Sequence, residues 1–147
     1  MAYKKILVCL DGSPLAEAAL PHAQILASDE EAEIVLLRVS ANPAAEFSFS
    51  DPTLAHNFIQ DMETETLHYL QSVRSRLQKA GFRISFLIRQ GAVAETILQT
   101  ASEIQTDVIV MSTHGRSGIQ RWLLGSVADR IVTHSNIPVM LIRPGTT

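Results

Sequence analysis

The strongest indication of the fold lies in residues 107–126, Asp107-Val-Ile-Val-Met-Ser-Thr-His-Gly-Arg-Ser-Gly-Ile-Gln-Arg-Trp-Leu-Leu-Gly-Ser126. Its first part, Asp107–Met111, is a continuous apolar run that predicts a buried strand. A loop rich in small residues follows, and the pair Gly125-Ser126 then opens a predicted helix over Val127–Ser135. Glycines let the backbone come close to a ligand, and free N–H groups at a helix start carry partial positive charge. This layout predicts a site for an anionic small ligand, with a nucleotide as the first hypothesis.

Length and composition limit what the chain can be. It has 147 residues, of which 46% are hydrophobic and 18% are charged, and its formal net charge is −3. These values predict one globular domain over residues 1–147. A weakly acidic chain has no general attraction for nucleic acid or for an anionic membrane. Any anion site must therefore be local, built from backbone dipoles and a few side chains.

Cysteine content and hydropathy bear on the cellular compartment. The single cysteine, Cys9, excludes an internal disulfide and a cysteine-cluster metal site, and its apolar surroundings predict a small core residue. The run Ile6–Leu10 is too short for the hydrophobic region of a signal peptide, and no apolar run has membrane-spanning length. The expectation is a cytoplasmic protein with neither nucleic-acid nor membrane partners.

Strands and helices are predicted to alternate along the chain. The predicted strands are Ile6–Leu10, Glu33–Val39, Phe82–Arg89, Asp107–Met111 and Pro138–Arg143. The predicted helices run from Ser13-Pro14 to about Ser28 with a kink at Pro21, from Asp51-Pro52 to about Ala80, over Val93–Glu103 and over Val127–Ser135. In the long second helix, Leu67, Leu70, Val73 and Leu77 keep the spacing of one apolar face, and Gly81 fits the position after its end.

This alternation, with strands that are apolar on both faces, predicts an α/β fold. The expected architecture is a single doubly wound domain with a five-stranded parallel sheet in the order 3-2-1-4-5 and helices on both faces. In that order the chain reverses direction between strands 1 and 4, which opens a crevice at their C-terminal ends. Asp11 lies at the end of strand 1 and residues 112–115 lie at the end of strand 4, so the loops that follow these two strands are expected to face that crevice.

Three separated blocks resemble the universal stress protein family, and together they extend over essentially the whole chain. Lys5-Ile-Leu-Val-Cys-Leu-Asp-Gly-Ser13 resembles its first strand and acidic turn, and Leu36-Leu-Arg-Val39 resembles the end of its second strand. The segment from Met111 through Gly125-Ser126 to Pro138-Val-Met-Leu-Ile-Arg143 resembles its C-terminal signature. The resemblance implies a stress-response protein.

The nucleotide-binding branch of that family carries the motif Gly-x2-Gly-x9-Gly-Ser/Thr. Gly115 and Gly125-Ser126 match its later positions, whereas Ser112 stands at the first glycine. A Cβ at residue 112 would crowd a ribose or a phosphate, but a serine hydroxyl can also donate to a phosphate oxygen. We expect nucleotide binding to be kept.

The resemblance implies a set of nucleotide contacts. The candidate residues are Asp11, Val39, Met111, Ser112, Gly115, Arg116, Gly125, Ser126 and Val127.

Asp11 would accept hydrogen bonds from ribose hydroxyls or help to hold a divalent cation, although it could instead cap the N–H groups of its own turn. The resemblance also implies that the backbone of Val39 meets the adenine edge. Met111 and Val127 would line the pocket, or else belong to the core.

The phosphates would meet Gly115, Gly125 and Ser126, whose N–H groups would form a nest beside the helix start. Arg116 would neutralise phosphate charge, or else be a solvated loop residue. The expected ligand is ATP, ADP or AMP, with Mg²⁺ held mainly by the phosphates. The histidines lack metal-ligand spacing, so no metal site built from protein ligands is expected.

Three functions remain in competition. The first is a nucleotide-dependent regulatory or interaction module, the second a dimeric interaction module with an empty crevice, and the third a slow ATP hydrolase. The sequence has no nucleophile elbow and no P-loop lysine, so fast ATP hydrolysis is not expected. The apolar fifth strand would lie at the edge of the sheet, where it invites pairing, and the resemblance implies a homodimer through that strand.

Overall fold

Five strands form one parallel sheet, as the sequence predicts. The computed structural model describes residues 3–28, 31–41, 51–114 and 124–145. The strands are β1 (Lys5–Cys9), β2 (Glu33–Ser40), β3 (Arg83–Gln90), β4 (Val108–Ser112) and β5 (Val139–Ile142). Their order is β3-β2-β1-β4-β5, which confirms the predicted topology. Because Leu7 in the central strand pairs with both Val35 and Ile109, β1 is enclosed on its two edges.

Helices cover both faces of this sheet, which explains why its strands are apolar throughout. The helices are α1 (Ala19–Leu26), α2 (Pro52–Lys79), α3 (Val93–Glu103) and α4 (Ser126–His134), and a short 3-10 segment, Ala16–Ala18, precedes α1. On one face, α1 and α2 pack around Ile6, Val8 and Leu36. On the other face, α3 and α4 pack around Leu7 and Leu37. None of the described helices is long and apolar enough to cross a bilayer.

The start of α1 differs from the prediction. The Ser13 hydroxyl accepts a hydrogen bond from the Ala16 N–H (3.2 Å), but the turn that it caps leads into the 3-10 segment, and regular helix begins only at Ala19. Pro21 is therefore the third residue of α1, where backbone N–H groups have no partner within the helix. Its missing N–H costs α1 no hydrogen bond, so the expected kink is not needed.

The long helix α2 follows its sequence signals closely. Asp51 caps it by accepting a hydrogen bond from the Thr53 N–H (2.9 Å), and Pro52 is its first residue. Gly81 follows its end with a φ of +98°, which glycine adopts without strain. Leu67, which keeps the spacing of the predicted apolar face, is exposed instead, because N-terminal to Leu70 the side of α2 that faces the sheet continues through Thr66 and Met62.

The N-terminal half of α2 extends beyond the sheet. The helix has 28 residues and is about 42 Å long, whereas the eight residues of β3 span about 26 Å. Its fully buried residues, Leu70, Val73 and Leu77, all lie in its C-terminal half. A helix that joins two parallel strands runs back from the carboxyl edge of the sheet, so the N-terminal half of α2 stands beside the carboxyl ends of the strands.

Candidate functional site

A cavity of about 350 Å³ opens at the carboxyl ends of β1 and β4, at the predicted crevice. The sequence-predicted residues that line it are Asp11, Val39, Met111, Ser112, Gly125, Ser126 and Val127. The structure thus brings together seven of the nine candidates from four separate segments. The other two, Gly115 and Arg116, lie outside the described residues and stay predictions.

One wall of the cavity is apolar. Leu37 and Val39 of β2 and Met111 of β4 face the same side of the sheet, because side chains alternate along a strand. Val93 and Ile97 of α3 form the opposite wall. This gap between a sheet and a helix has the shape and polarity that suit a flat heterocyclic ring.

The end of β2 presents to the cavity main-chain groups that have no partner among the described residues. The last pair between β1 and β2 is Cys9 with Leu37, and the Leu10 N–H still donates to the Leu37 carbonyl oxygen (2.9 Å). Beyond that point the chain turns away at Asp11. Peptide groups of alternate residues in a parallel strand face the same neighbouring strand. The Leu37 carbonyl faces β1, so the N–H and C=O of Val39 face the same side, at a level where β1 has already ended. One donor and one acceptor therefore border the cavity at its β2 end.

At the other end of the cavity, α4 begins directly after Gly125. The Gly125 N–H donates to the Thr113 carbonyl oxygen (2.8 Å), and a Cβ on residue 125 would lie 3.0 Å from that same oxygen. Glycine is needed here because the helix start and the strand end approach so closely. We predicted this N–H to be one of the phosphate donors of the nest, but it already donates to an acceptor within the protein.

The first turn of α4 keeps other donors. The first hydrogen bond within the helix runs from the Asp129 N–H to the Gly125 carbonyl, which leaves the N–H groups of Ser126, Val127 and Ala128 without an acceptor inside the helix. No side chain in the described part of the chain caps this helix. These N–H groups give the cavity a partly positive end that suits an anion.

The Asp11 carboxylate is partly committed to its own turn. Its Oδ1 accepts hydrogen bonds from the Ser13 N–H (2.8 Å) and from the Ser13 hydroxyl (2.6 Å). This is the turn-capping role that the sequence left open as an alternative. Asp11 lines the cavity, and the two hydrogen bonds from Ser13 use only Oδ1. Its Oδ2 can therefore contact a ligand hydroxyl while the turn is kept.

Ser112 is also bonded locally. Its hydroxyl donates to the His114 carbonyl oxygen (2.8 Å), and the side chain is buried. The next residue, Thr113, has its hydroxyl 3.1 Å from Nδ1 of His114. The hydroxyl expected to help bind phosphate therefore stabilises the chain as it leaves β4.

Among the cavity residues that were not predicted from the sequence, Arg38 and Met62 are the most informative. Arg38 of β2 is nearly buried, and a Cβ on Gly12 would lie 3.8 Å from its guanidinium, which places this cation under the Asp11 turn. A charged residue within the apolar run Ile34–Val39 was the available signal. Met62 reaches the cavity from the N-terminal half of α2, which extends beyond the sheet. No local pattern marks it, because its position depends on how α2 packs on the sheet.

Cys9 is a wall residue of the cavity and not only a core residue as expected. Burial raises the pKa of its thiol to about 12, so the thiol stays protonated at neutral pH. A protonated thiol is a poor nucleophile and a poor metal ligand. Within residues 3–28, 31–41, 51–114 and 124–145, no group of three or more His, Cys, Asp or Glu side chains is arranged to hold a metal ion.

The sequence model of the universal stress protein family matches residues 2–143. The chain belongs to this family. The universal stress protein MJ0531 of Methanocaldococcus jannaschii is 31% identical over 146 residues, which cover 96% of this chain and 82% of that protein.

Solved structures agree with this assignment. MJ0577, from the same organism, is 27% identical and superposes over 100% of both chains with a TM-score of 0.87. A universal stress protein in complex with cAMP shares the fold at 22% identity, with a TM-score of 0.71 over 99% of this chain and 100% of that one. A family member from Arabidopsis thaliana with AMP bound is 18% identical, with a TM-score of 0.69 over 97% and 93% of the two chains.

Proposed function

We propose that the cavity binds an adenine nucleotide and that its occupancy controls the partners or the assembly of this stress protein. The observation that carries the proposal is the polarity of the cavity. Among the residues that the structure describes, an apolar slot with an unpaired peptide group lies at its β2 end, and a helix start without a side-chain cap lies at its β4 end. A nucleotide has the matching order of groups: a flat base with hydrogen-bonding edges, then a ribose, then phosphate.

The dimensions of the cavity suit this ligand. β2 and β4 are separated only by β1, so their ends are about 10 Å apart at the usual strand spacing. A base at Val39 would place its ribose over the Asp11 turn and its first phosphate at the N–H groups of Ser126 and Val127. Proteins of the same fold that carry cAMP or AMP support the choice of an adenine nucleotide.

The experiment is isothermal titration calorimetry of the purified, nucleotide-free protein with AMP and with ATP, in the presence and absence of Mg²⁺. We expect one adenine nucleotide to bind per subunit. Because the described residues offer no metal site, Mg²⁺ should strengthen ATP binding through the phosphates and leave AMP binding unchanged. Absence of heat with both nucleotides would instead favour the interaction module with an empty crevice.

Replacing Ser112 with glycine separates stability from binding. The change removes the hydroxyl that bonds the His114 carbonyl and adds backbone freedom in a strand, so the free energy of unfolding should fall by about 1–2 kcal/mol. Nucleotide affinity should be preserved or raised, because the Cβ at the first motif position is gone. Ser112→Ala, which loses the hydroxyl but keeps the Cβ, is the control. A clear loss of affinity in both variants would make the hydroxyl a ligand contact.

We also propose that two copies of the chain pair through β5. The carbonyl oxygens of Pro138 and Ile142 accept hydrogen bonds from β4 and from the residue that follows it, so the peptide groups of the alternate residues Val139 and Leu141 point away from the sheet. An apolar strand with outward-facing peptide groups is a template for another strand.

Leu141→Pro tests this pairing, because proline removes an outward N–H without removing a bond to β4. Sedimentation velocity should show a dimer for the wild type and a monomer for this variant. Leu141→Ala, which loses the side chain but keeps the N–H, should remain dimeric. A monomeric wild type at high concentration would contradict the proposal.

A further inference from the structure

Met62 separates the main cavity from a second, much smaller space. It is half-buried on α2, and it lines both the 350 Å³ cavity and a crevice of about 20 Å³. The crevice is otherwise bounded by Ile59, Glu63, Ile88 and neighbouring residues of α2, β2 and β3. Apart from Met62, the only residue that borders both spaces, as far as the chain is described, is Ser40. The Met62 side chain thus acts as a partition between them.

This partition lies at the end of the cavity farthest from the helix start. α2 packs on β3 and β2, whereas Gly125 and Ser126 follow β4 on the other side of β1. Met62 comes from the face of the sheet opposite Val93 and Ile97. It borders the cavity at the end of β2 together with Ser40, next to the Val39 peptide group that the proposed function gives to the base and away from the phosphates. Beyond it, the Gln90 amide lies 3.4 Å from the Glu63 carboxylate, which marks the outer side of the crevice.

We propose that Met62 ends the base subsite and determines which substituted adenines the cavity accepts. The inference rests on the proposed nucleotide function and goes further, because it assigns base selectivity to a residue of α2. Methionine has an unbranched, polarizable side chain that adapts to an aromatic edge, so it can close the subsite against an unmodified base. A bulky substituent pointing at β3 would collide with it.

The test compares the wild type with Met62→Ala, which removes three heavy atoms and joins the two spaces. Leu67→Ala removes the same number of atoms from an exposed side chain of the same helix that does not line the cavity, and it is the matched control. Calorimetry is run with AMP and with AMP carrying a benzyl-sized group at N6, C2 or C8. In the wild type we expect the substituted nucleotides to bind at least about tenfold more weakly than AMP.

In Met62→Ala, at least one substituted nucleotide should gain about tenfold in affinity relative to AMP, and Leu67→Ala should keep the wild-type ratios. Met62→Trp, which fills the base end, should weaken AMP binding by about tenfold or more while the thermal unfolding midpoint changes little. Normal AMP binding in all variants with unchanged ratios would overturn the role of Met62 and leave the proposed function intact. Failure of the wild type to bind AMP or ATP would overturn both.

Discussion

Replacing Gly125 with aspartate is expected to abolish nucleotide binding, with affinity falling at least about a hundredfold. The added carboxylate would stand beside the N–H groups of Ser126 and Val127, which are the proposed phosphate donors. A negative charge at that place repels phosphate and also competes with it for the same donors. The measurement is calorimetry with AMP and ATP.

The control for this variant is Gly125→Asn, which has the same shape without the charge. Both side chains meet the same obstacle, since any Cβ at residue 125 would lie 3.0 Å from the Thr113 carbonyl oxygen. Both are also good helix caps, so part of that strain is offset at the start of α4. Asparagine should therefore weaken binding less than aspartate by about tenfold or more. Wild-type affinity in the aspartate variant would remove the phosphate assignment.

Replacing Val39 with proline is expected to lower nucleotide affinity by about ten- to a hundredfold, since a buried acceptor on the base would lose its donor. The Val39 N–H faces the side that β1 has left, so proline removes no hydrogen bond between described strands. The loss should thus appear in binding more than in folding. Calorimetry and thermal unfolding of the same sample measure the two effects.

Val39→Ala is the control here, because it keeps the N–H and removes only part of the apolar wall. It should weaken binding by less than the proline variant. Equal affinities in the two variants would mean that the base does not use this peptide group. A large fall in the unfolding midpoint for proline alone would show that the N–H has a structural partner instead.

The sheet and its crevice could be predicted because they depend on local patterns. Apolar runs mark strands that are buried on both faces, and glycine and capping residues mark the ends of α2 with Asp51 and Gly81. Strict alternation of strands and helices then leaves few topologies, and the predicted order 3-2-1-4-5 places the ends of β1 and β4 together. The positions of Asp11 and Ser126 in one cavity followed from that arrangement.

What could not be predicted depends on contacts between distant segments. The Gly125 N–H has an acceptor because α4 begins against the end of β4, and the motif spacing carries no information on that contact. Met62 reaches the cavity only because α2 is longer than the strands on which it packs. Regular helix begins at Ala19 and not at Pro14 because the Ser13 turn leads into a 3-10 segment first.

The most direct test of the nucleotide site is native mass spectrometry of the purified protein mixed with AMP or ATP, beside the Gly125→Asp variant. We expect a mass increase of one adenine nucleotide per subunit in the wild type and none in the variant. A folded wild-type protein that gains no mass at saturating nucleotide, or a variant that gains as much as the wild type, would contradict the assignment of the nucleotide site.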